Sequence, residues 1–205
     1  MKTFISVACL ACLLTAFGCG GDGGGGPSDT AASLTAAGWA LFEKGEYEAA
    51  MTKFNQALAL DATYSDAYNG LGWSNAKLDS LGEALGSFGE CLILNGTLAD
   101  AYAGCAPVYR DYETEPAHFD SAIAAASQAL ILEATYAFGH DTSSNPFDWR
   151  DLRIIIAQSH YGLGEFLDAN AQVLALGGVT LDPGLPTFVE DLAAEIERLE
   201  GLYGG

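Results

Sequence analysis

The residues that could do chemistry are few, and the three histidines come first. They are His118, His140 and His160, and His140 is followed by Asp141, with Asp148 a short distance further on. Imidazole and carboxylate groups can bind a metal ion, but this spacing fits no helical ligand pair, and no cysteine or glutamate completes a set. We therefore predict no metal site, and we expect His160 to be a core residue packed between helices.

Other catalytic patterns are missing from the sequence. The glycine run at 21–26 does not follow a strand, so it does not predict a phosphate-binding loop. No serine lies in a nucleophile elbow. Asn95-Gly96-Thr97 matches a glycosylation acceptor, but it falls in a turn between helices and is read as structural. We expect a protein that is not an enzyme and needs no cofactor.

The first 18 residues have the pattern of an export signal. Lys2 precedes an apolar run, Phe4 to Phe17, which is too short to span a bilayer comfortably. The run ends at Gly18-Cys19 and resembles the lipobox of bacterial lipoproteins, a resemblance that implies lipid attachment at Cys19. The alternatives are an ordinary secretory signal or cleavage elsewhere. Residues 19–30 are rich in glycine and predict a flexible tether.

The chain is strongly acidic, with a formal net charge of −19. A protein that binds nucleic acid needs a basic face, so this partner class is excluded. Anionic head groups would also repel the chain, so contact with a membrane is expected only through the lipid. Acidity of this kind favours solubility.

Two cysteines, Cys91 and Cys105, lie beyond the signal and the lipid site. Export implies an oxidising compartment, where they could form a disulfide bond. Both stand at small-residue core positions of neighbouring helices, where a buried thiol is equally suitable. Their spacing leaves the two alternatives open.

A 34-residue repeat decides the architecture. The stretch from Leu34 to Ala62 reads as two short amphipathic helices, and its pattern returns from Tyr68 to Gly96. The matching pairs are Gly38 and Gly72, Trp39 and Trp73, Tyr47 and Leu81, Ala50 and Ala84, Phe54 and Phe88, and Ala57 and Cys91. Ala84 recurs as Ala122 and then as Ala169, which indicates two further repeats with longer connections.

These positions resemble the tetratricopeptide repeat, or TPR. The resemblance implies an all-α, right-handed superhelical solenoid of about four helix-turn-helix units plus a C-terminal capping helix. We assign repeats to about 31–64, 65–98, 99–136 and 150–176, a loop insertion to 137–149, and a loop with the capping helix to 177–205. Thr187 to Glu190 matches a capping box at the start of that last helix.

The insertion, residues 137–149 and called the insert below, is rich in turn-forming residues. We expect it to leave the solenoid as a loop. Long insertions in compact domains are often functional, but a tolerated excursion explains this one equally well.

The TPR resemblance also implies a concave groove lined by the first helix of each repeat. The residues it places there are Trp39, Phe42, Asn69, Trp73, Lys77, Arg110, Gln158 and Tyr161. Exposed tryptophans in a groove would anchor a peptide strongly. Alternatively, the two tryptophans pack against the N-terminal tether or the seams between repeats.

The sequence therefore predicts a lipid-anchored scaffold of the bacterial cell envelope that binds a protein or peptide in its groove. No aspartate follows Cys19 directly, which is compatible with sorting to the outer membrane. The alternative is a structural solenoid that associates with copies of itself and has no distinct peptide ligand.

Overall fold

The computed structural model describes residues 29–112 and 116–204. The predictions for the signal, Cys19 and most of the tether concern residues outside this part. The described residues form nine α-helices: α1 Ala31–Phe42, α2 Tyr47–Leu60, α3 Ser65–Lys77, α4 Leu81–Leu94, α5 Ala99–Tyr112, α6 Pro116–Leu132, α7 Trp149–Gly162, α8 Phe166–Ala175 and α9 Phe188–Tyr203. None of these helices has the length and apolar character needed to cross a bilayer.

The helices pack in chain order as antiparallel pairs: α1 with α2, α3 with α4, α5 with α6, and α7 with α8. Each pair also contacts the next, and α9 covers α7 and α8 at the C-terminal end. The predicted all-α solenoid is confirmed. The apolar face of α9 (Phe188, Leu192, Ile196, Leu199) is buried in a core cluster that it shares with α7 and α8.

Phenyl rings and glycines hold the first three repeats together. The fully buried ring of Phe54 lies against Gly38 of its own repeat and Gly70 of the next, and a Cβ at either glycine would overlap the ring. Phe88 lies in the same way against Gly72 and Gly104. Only glycine leaves room for such close packing.

At the next interface the sizes of the equivalent residues are exchanged. Ala126 stands where the first two repeats have Phe54 and Phe88. The buried Ile155 stands where the second and third repeats have Gly70 and Gly104. A small residue combined with a large one conserves volume, which a close-packed core requires.

Helix starts differ from the sequence prediction. The predicted capping box at Thr187 does not form, because the Thr187 hydroxyl donates to Asp191 at 2.8 Å and caps no backbone N–H. Reciprocal capping boxes instead begin α1, from Thr30 and Ser33, and α7, from Asp148 and Asp151. In both, the N-cap side chain accepts from the backbone three residues on, which satisfies a donor that the helix leaves unpaired.

The prediction that the insert leaves the solenoid is wrong. Its two ends pair, since the Phe138 N–H donates to the Phe147 carbonyl at 2.9 Å and the Trp149 N–H donates to the Tyr136 carbonyl at 2.8 Å. Between them the segment lies on the first helices, with Phe138 only 3% exposed and part of the main core. Burial of aromatic side chains away from water is favourable, so these contacts hold the segment against the helices.

Candidate protein-binding groove

The concave side is built by the first helices, because α1, α3, α5 and α7 contact one another in sequence. The residues that the TPR resemblance places in the groove lie on these helices. The structure brings them together, but it covers several of them with the insert.

Trp39 of α1 lies under the insert. Its indole is 4% exposed and is stacked on the imidazole of His140, with ring centroids 3.9 Å apart and planes inclined by 2°. The Trp39 Nε1–H donates to the Asp66 carboxylate, with distances of 3.2 and 3.3 Å to its two oxygens. A stacked face and a satisfied N–H hold this ring in one orientation.

Trp73 of α3 has a similar arrangement one repeat along. It is 4% exposed and stacks on Phe138 at 3.9 Å with planes inclined by 17°, while Phe147 contacts it edge-on at 5.8 Å. Its buried Nε1–H has no hydrogen-bond partner among the described residues. The expectation of exposed tryptophans is thus wrong. The insert covers them.

Polar contacts join the insert to both ends of the solenoid. His140 Nδ1 lies 2.9 Å from the Glu43 carboxylate at the end of α1, and the Thr142 hydroxyl donates to the Glu43 carbonyl at 3.2 Å. The Asn145 amide donates to the carbonyls of Tyr203 and Gly204, each at 2.8 Å. The insert therefore crosses the concave face from the first repeat to the end of α9.

Asp141 shapes the turn of the insert. Its carboxylate accepts from the N–H of Ser143 at 2.9 Å and of Phe147 at 3.1 Å. Burial by itself would raise the pKa of the Asp141 carboxyl, but these hydrogen bonds together lower it below the ordinary value. The ionised form therefore stabilises the turn at neutral pH.

Phe42 and Asn69 are buried, and Tyr161 is partly buried. Phe42 is 4% exposed and packs edge-on against Trp39 and Phe138. Asn69 is fully buried, and its side-chain oxygen and nitrogen find no hydrogen-bond partner within the described part of the chain. Tyr161 packs against Phe166 in the C-terminal core.

Arg110, Gln158 and Lys77 lie where the groove remains accessible. Arg110 donates to the Gln158 side-chain oxygen at 2.8 Å and pairs with Asp111 at 2.7 Å. A cavity of about 240 Å³ remains beside the insert. Its walls come from α3, α5, α7, the insert and the end of α9, and they carry the cations Lys77 and Arg110 and the acids Asp79, Asp111, Asp141, Asp151 and Glu200.

A partly buried carboxylate, that of Asp100, lies at the start of α5. Burial raises the pKa of the Asp100 carboxyl, and the neighbouring Tyr136 hydroxyl and His140 ring offset only part of that effect. Burial also raises the pKa of the Tyr136 hydroxyl well above its ordinary value, and the nearby Asp100 raises it further.

Cys91 and Cys105 are buried free thiols, with neither bonded to another cysteine of the described residues. Of the two alternatives for this pair, the structure has the buried thiols and not the disulfide bond. Burial is the main cause that raises the pKa of each thiol to about 12, so both behave as small apolar core residues of α4 and α5.

The three histidines make different contacts. His140 belongs to the insert, and His118 contacts Tyr112 edge-on at 5.5 Å. His160 is a partly exposed side chain that pairs with Glu165 at 2.7 Å, so the expectation of a core histidine is wrong. Asp168 lies close to this pair, and one ligand atom from each of the three residues falls within 4.8 Å of the others. Exposed acidic residues next to a histidine do not by themselves make a metal site.

The sequence analysis missed the stacking of two side chains on the tryptophans, those of Phe138 and His140. The sequence signal was two ring side chains separated by one residue, which a turn at residues 139–140 brings to the same face, with ring centroids 5.8 Å apart. Knowing where that face would lie required the path of the insert across α1 and α3.

Comparison with known proteins agrees with this architecture. A family model described as TPR repeat matches residues 38–79. The fold is that of a TPR solenoid. The match covers the end of α1, all of α2 and all of α3.

Solved structures extend the likeness to the TPR fold over most of the chain. The crystal structure of MamA matches with a TM-score of 0.57 and 20% identity, covering 84% of this chain and 81% of MamA. A thermophilic TPR protein of Thermus thermophilus matches with a TM-score of 0.56 and 18% identity, over 85% and 83% of the two chains. PilW, a type IV pilus biogenesis factor, matches with a TM-score of 0.57 and 18% identity, over 72% and 61%. At these identities the likeness concerns the fold alone. No protein with a curated description matches the chain.

Proposed function

We propose that this TPR solenoid is a protein-binding scaffold and that its concave face is the binding surface. The observation that carries the proposal is the insert itself. A polypeptide segment already lies on this face, with one ring stacked on Trp39 and another on Trp73. A surface that holds one such segment has the shape and chemistry to hold another.

The accessible cavity beside the insert favours a partner with both polar and basic groups. Lys77 and Arg110 are outnumbered there by carboxylates, and the whole chain has a net charge of −19. A negative surface steers basic partners toward it and repels acidic ones. Association should therefore weaken as salt is added.

The proposal includes a location in the cell. Cys19 would carry lipid, the glycine-rich tether would separate the lipid from the solenoid, and the scaffold would face the periplasm or surface from the outer membrane of a bacterium. The Cys19→Ser variant tests this point. Loss of membrane association together with a lower mass supports the anchor, and unchanged fractionation and mass would overturn it.

Crosslinking in the native cell tests the scaffold. A photo-crosslinking amino acid replaces Lys77 beside the cavity, and the control carries it at Glu90, an exposed residue on the second helix of its repeat. Capture of a different protein from position 77 and not from position 90 supports the groove. Equal capture from both positions would contradict it.

Self-association is the second candidate, and exposed apolar residues favour it. Ile93 on α4 and Ile131 on α6 occupy equivalent positions and are 78% and 74% exposed. Large apolar side chains in register on successive repeats are a feature of association surfaces. Light scattering at high concentration tests this candidate. A monomeric chain excludes self-association. An oligomer that becomes monomeric in the Ile93→Lys/Ile131→Lys variant supports it.

A further inference from the structure

The insert binds the groove as a ligand would, through two side chains. Phe138 and His140 are separated by one residue. The backbone before them is bridged between Ala137 and Asp148, and a turn follows in which the Asp141 N–H donates to the Phe138 carbonyl at 3.3 Å. Their rings lie parallel to Trp73 and Trp39, both with centroids 3.9 Å apart. The two tryptophans are equivalent residues of adjacent repeats, so they form a pair of similar platforms.

The two platforms differ in how well their hydrogen bonds are satisfied. Trp39 Nε1–H has the Asp66 carboxylate as acceptor. Asp100 stands 34 residues after Asp66, as Trp73 stands 34 after Trp39, but Asp100 interacts with Tyr136, the residue just before the insert. The buried Trp73 N–H has no acceptor among the described residues. A buried unsatisfied donor is unfavourable, so the insert occupies this platform at a cost.

The polar attachments of the insert to Glu43 are open to solvent. The side chains of His140 and Glu43 are 29% and 39% exposed, and Thr142 is exposed where it donates to the Glu43 carbonyl. Pairs of this kind contribute little, because water and salt compete for both members. The aromatic stacking is therefore the main attachment at this end of the insert, and a partner with the same rings could replace it.

We propose that the insert is a displaceable occupant of the groove and that the partner replaces it with a segment of the same chemistry. That segment carries two planar ring side chains separated by one residue, an aromatic ring for Trp73 and an aromatic or imidazole ring for Trp39. This inference rests on the proposed scaffold function and names the partner motif for the same surface.

A peptide of residues 137–149, labelled with a fluorophore, is the probe, and fluorescence anisotropy measures its binding to the full chain. The Phe138→Ala/His140→Ala chain has lost both rings of its own insert, so it should bind the probe at least tenfold more tightly than the unchanged chain. Ser144→Ala is the matched control, since Ser144 is an exposed residue of the same insert, and it should bind like the unchanged chain. A probe with alanine in place of both rings should not bind any of them.

Equal or absent binding of the probe by all folded chains would overturn the inference and leave the insert as a fixed part of the core. If circular dichroism shows that the double variant is unfolded, the single His140→Ala variant decides, with a smaller expected gain of about threefold. Crosslinking from position 77 separates this inference from the proposed function. If a partner is captured and the insert variants capture the same amount of it, only the displacement of the insert is contradicted. If the probe binds but no partner is captured, only the scaffold function is contradicted.

Discussion

The indole of Trp73 and the phenyl ring of Phe138 are stacked 3.9 Å apart with planes inclined by 17°. This contact joins the second repeat to the insert that separates the third repeat from the fourth. The Phe138 ring covers a face of the Trp73 indole that would otherwise be open. The same relation joins Trp39 to His140, so the concave face is closed at two equivalent places.

The two tryptophans should respond differently to replacement by phenylalanine. Both are 4% exposed and lose similar ring area, but only Trp39 loses a hydrogen bond, to Asp66. Trp39→Phe should therefore lower the free energy of unfolding by about 1 kcal/mol more than Trp73→Phe, because a bond to a charged acceptor is lost. Urea denaturation of the two variants measures the difference. Equal losses would show that the Trp39–Asp66 bond contributes nothing.

Glycines in contact with a phenyl ring should not tolerate alanine. A Cβ at Gly104 would overlap the buried Phe88 ring, so Gly104→Ala should destabilise the protein by about 1–3 kcal/mol, as overpacking does. Gly86 in α4 is exposed, with no atom within 4 Å of an added Cβ, so Gly86→Ala should stabilise the helix by up to about 1 kcal/mol. Thermal unfolding compares them. A stabilising Gly104→Ala would contradict the phenyl–glycine packing.

Asp100 should make the protein less stable as its carboxyl ionises. Burial raises the pKa of this carboxyl above its ordinary value of 3.8, so the folded state binds the proton more tightly than the unfolded state does. The stabilisation that the protonated Asp100 carboxyl contributes is fully present below about pH 3.8 and is lost as the pH rises through the raised pKa. Asp100→Asn should then raise the melting temperature at pH 7, with a gain that shrinks as the pH is lowered toward 3.8.

Asp120→Asn is the control for that experiment, since Asp120 is an exposed acid on α6. It should leave the melting temperature at pH 7 almost unchanged. A melting temperature that falls in Asp100→Asn would mean that the ionised carboxylate, through Tyr136 and His140, contributes more than its burial costs.

The thiols of Cys91 and Cys105 should be inert in the folded protein. Burial is the main cause that raises the pKa of both to about 12, so little thiolate exists at pH 8 and a disulfide reagent such as Ellman's should react slowly. Both should react once guanidinium unfolds the chain, without any reductant. The Cys91→Ala/Cys105→Ala variant is the blank. No additional thiol in the unfolded protein relative to this blank would mean that the two cysteines pair.

The helical part of the fold could be predicted because its signals are local. Gly38 and Gly72, Ala50 and Ala84, and Phe54 and Phe88 recur at a fixed spacing, and helical periodicity follows from neighbours three and four residues apart. The capping box at Thr187 was a local prediction that failed, since the Asp191 carboxylate competes for the hydroxyl. A short polar motif does not reveal such a competitor.

The candidate site could be predicted only in part. The sequence by itself placed Trp39, Trp73, Lys77 and Arg110 on the first helices, since repeat spacing determines which helix face a residue occupies. Only the tertiary structure decided that the insert returns across that face and stacks Phe138 and His140 on the tryptophans. A turn-rich segment has no periodicity to give its direction, and the stacking energy depends on distances between residues far apart in the chain.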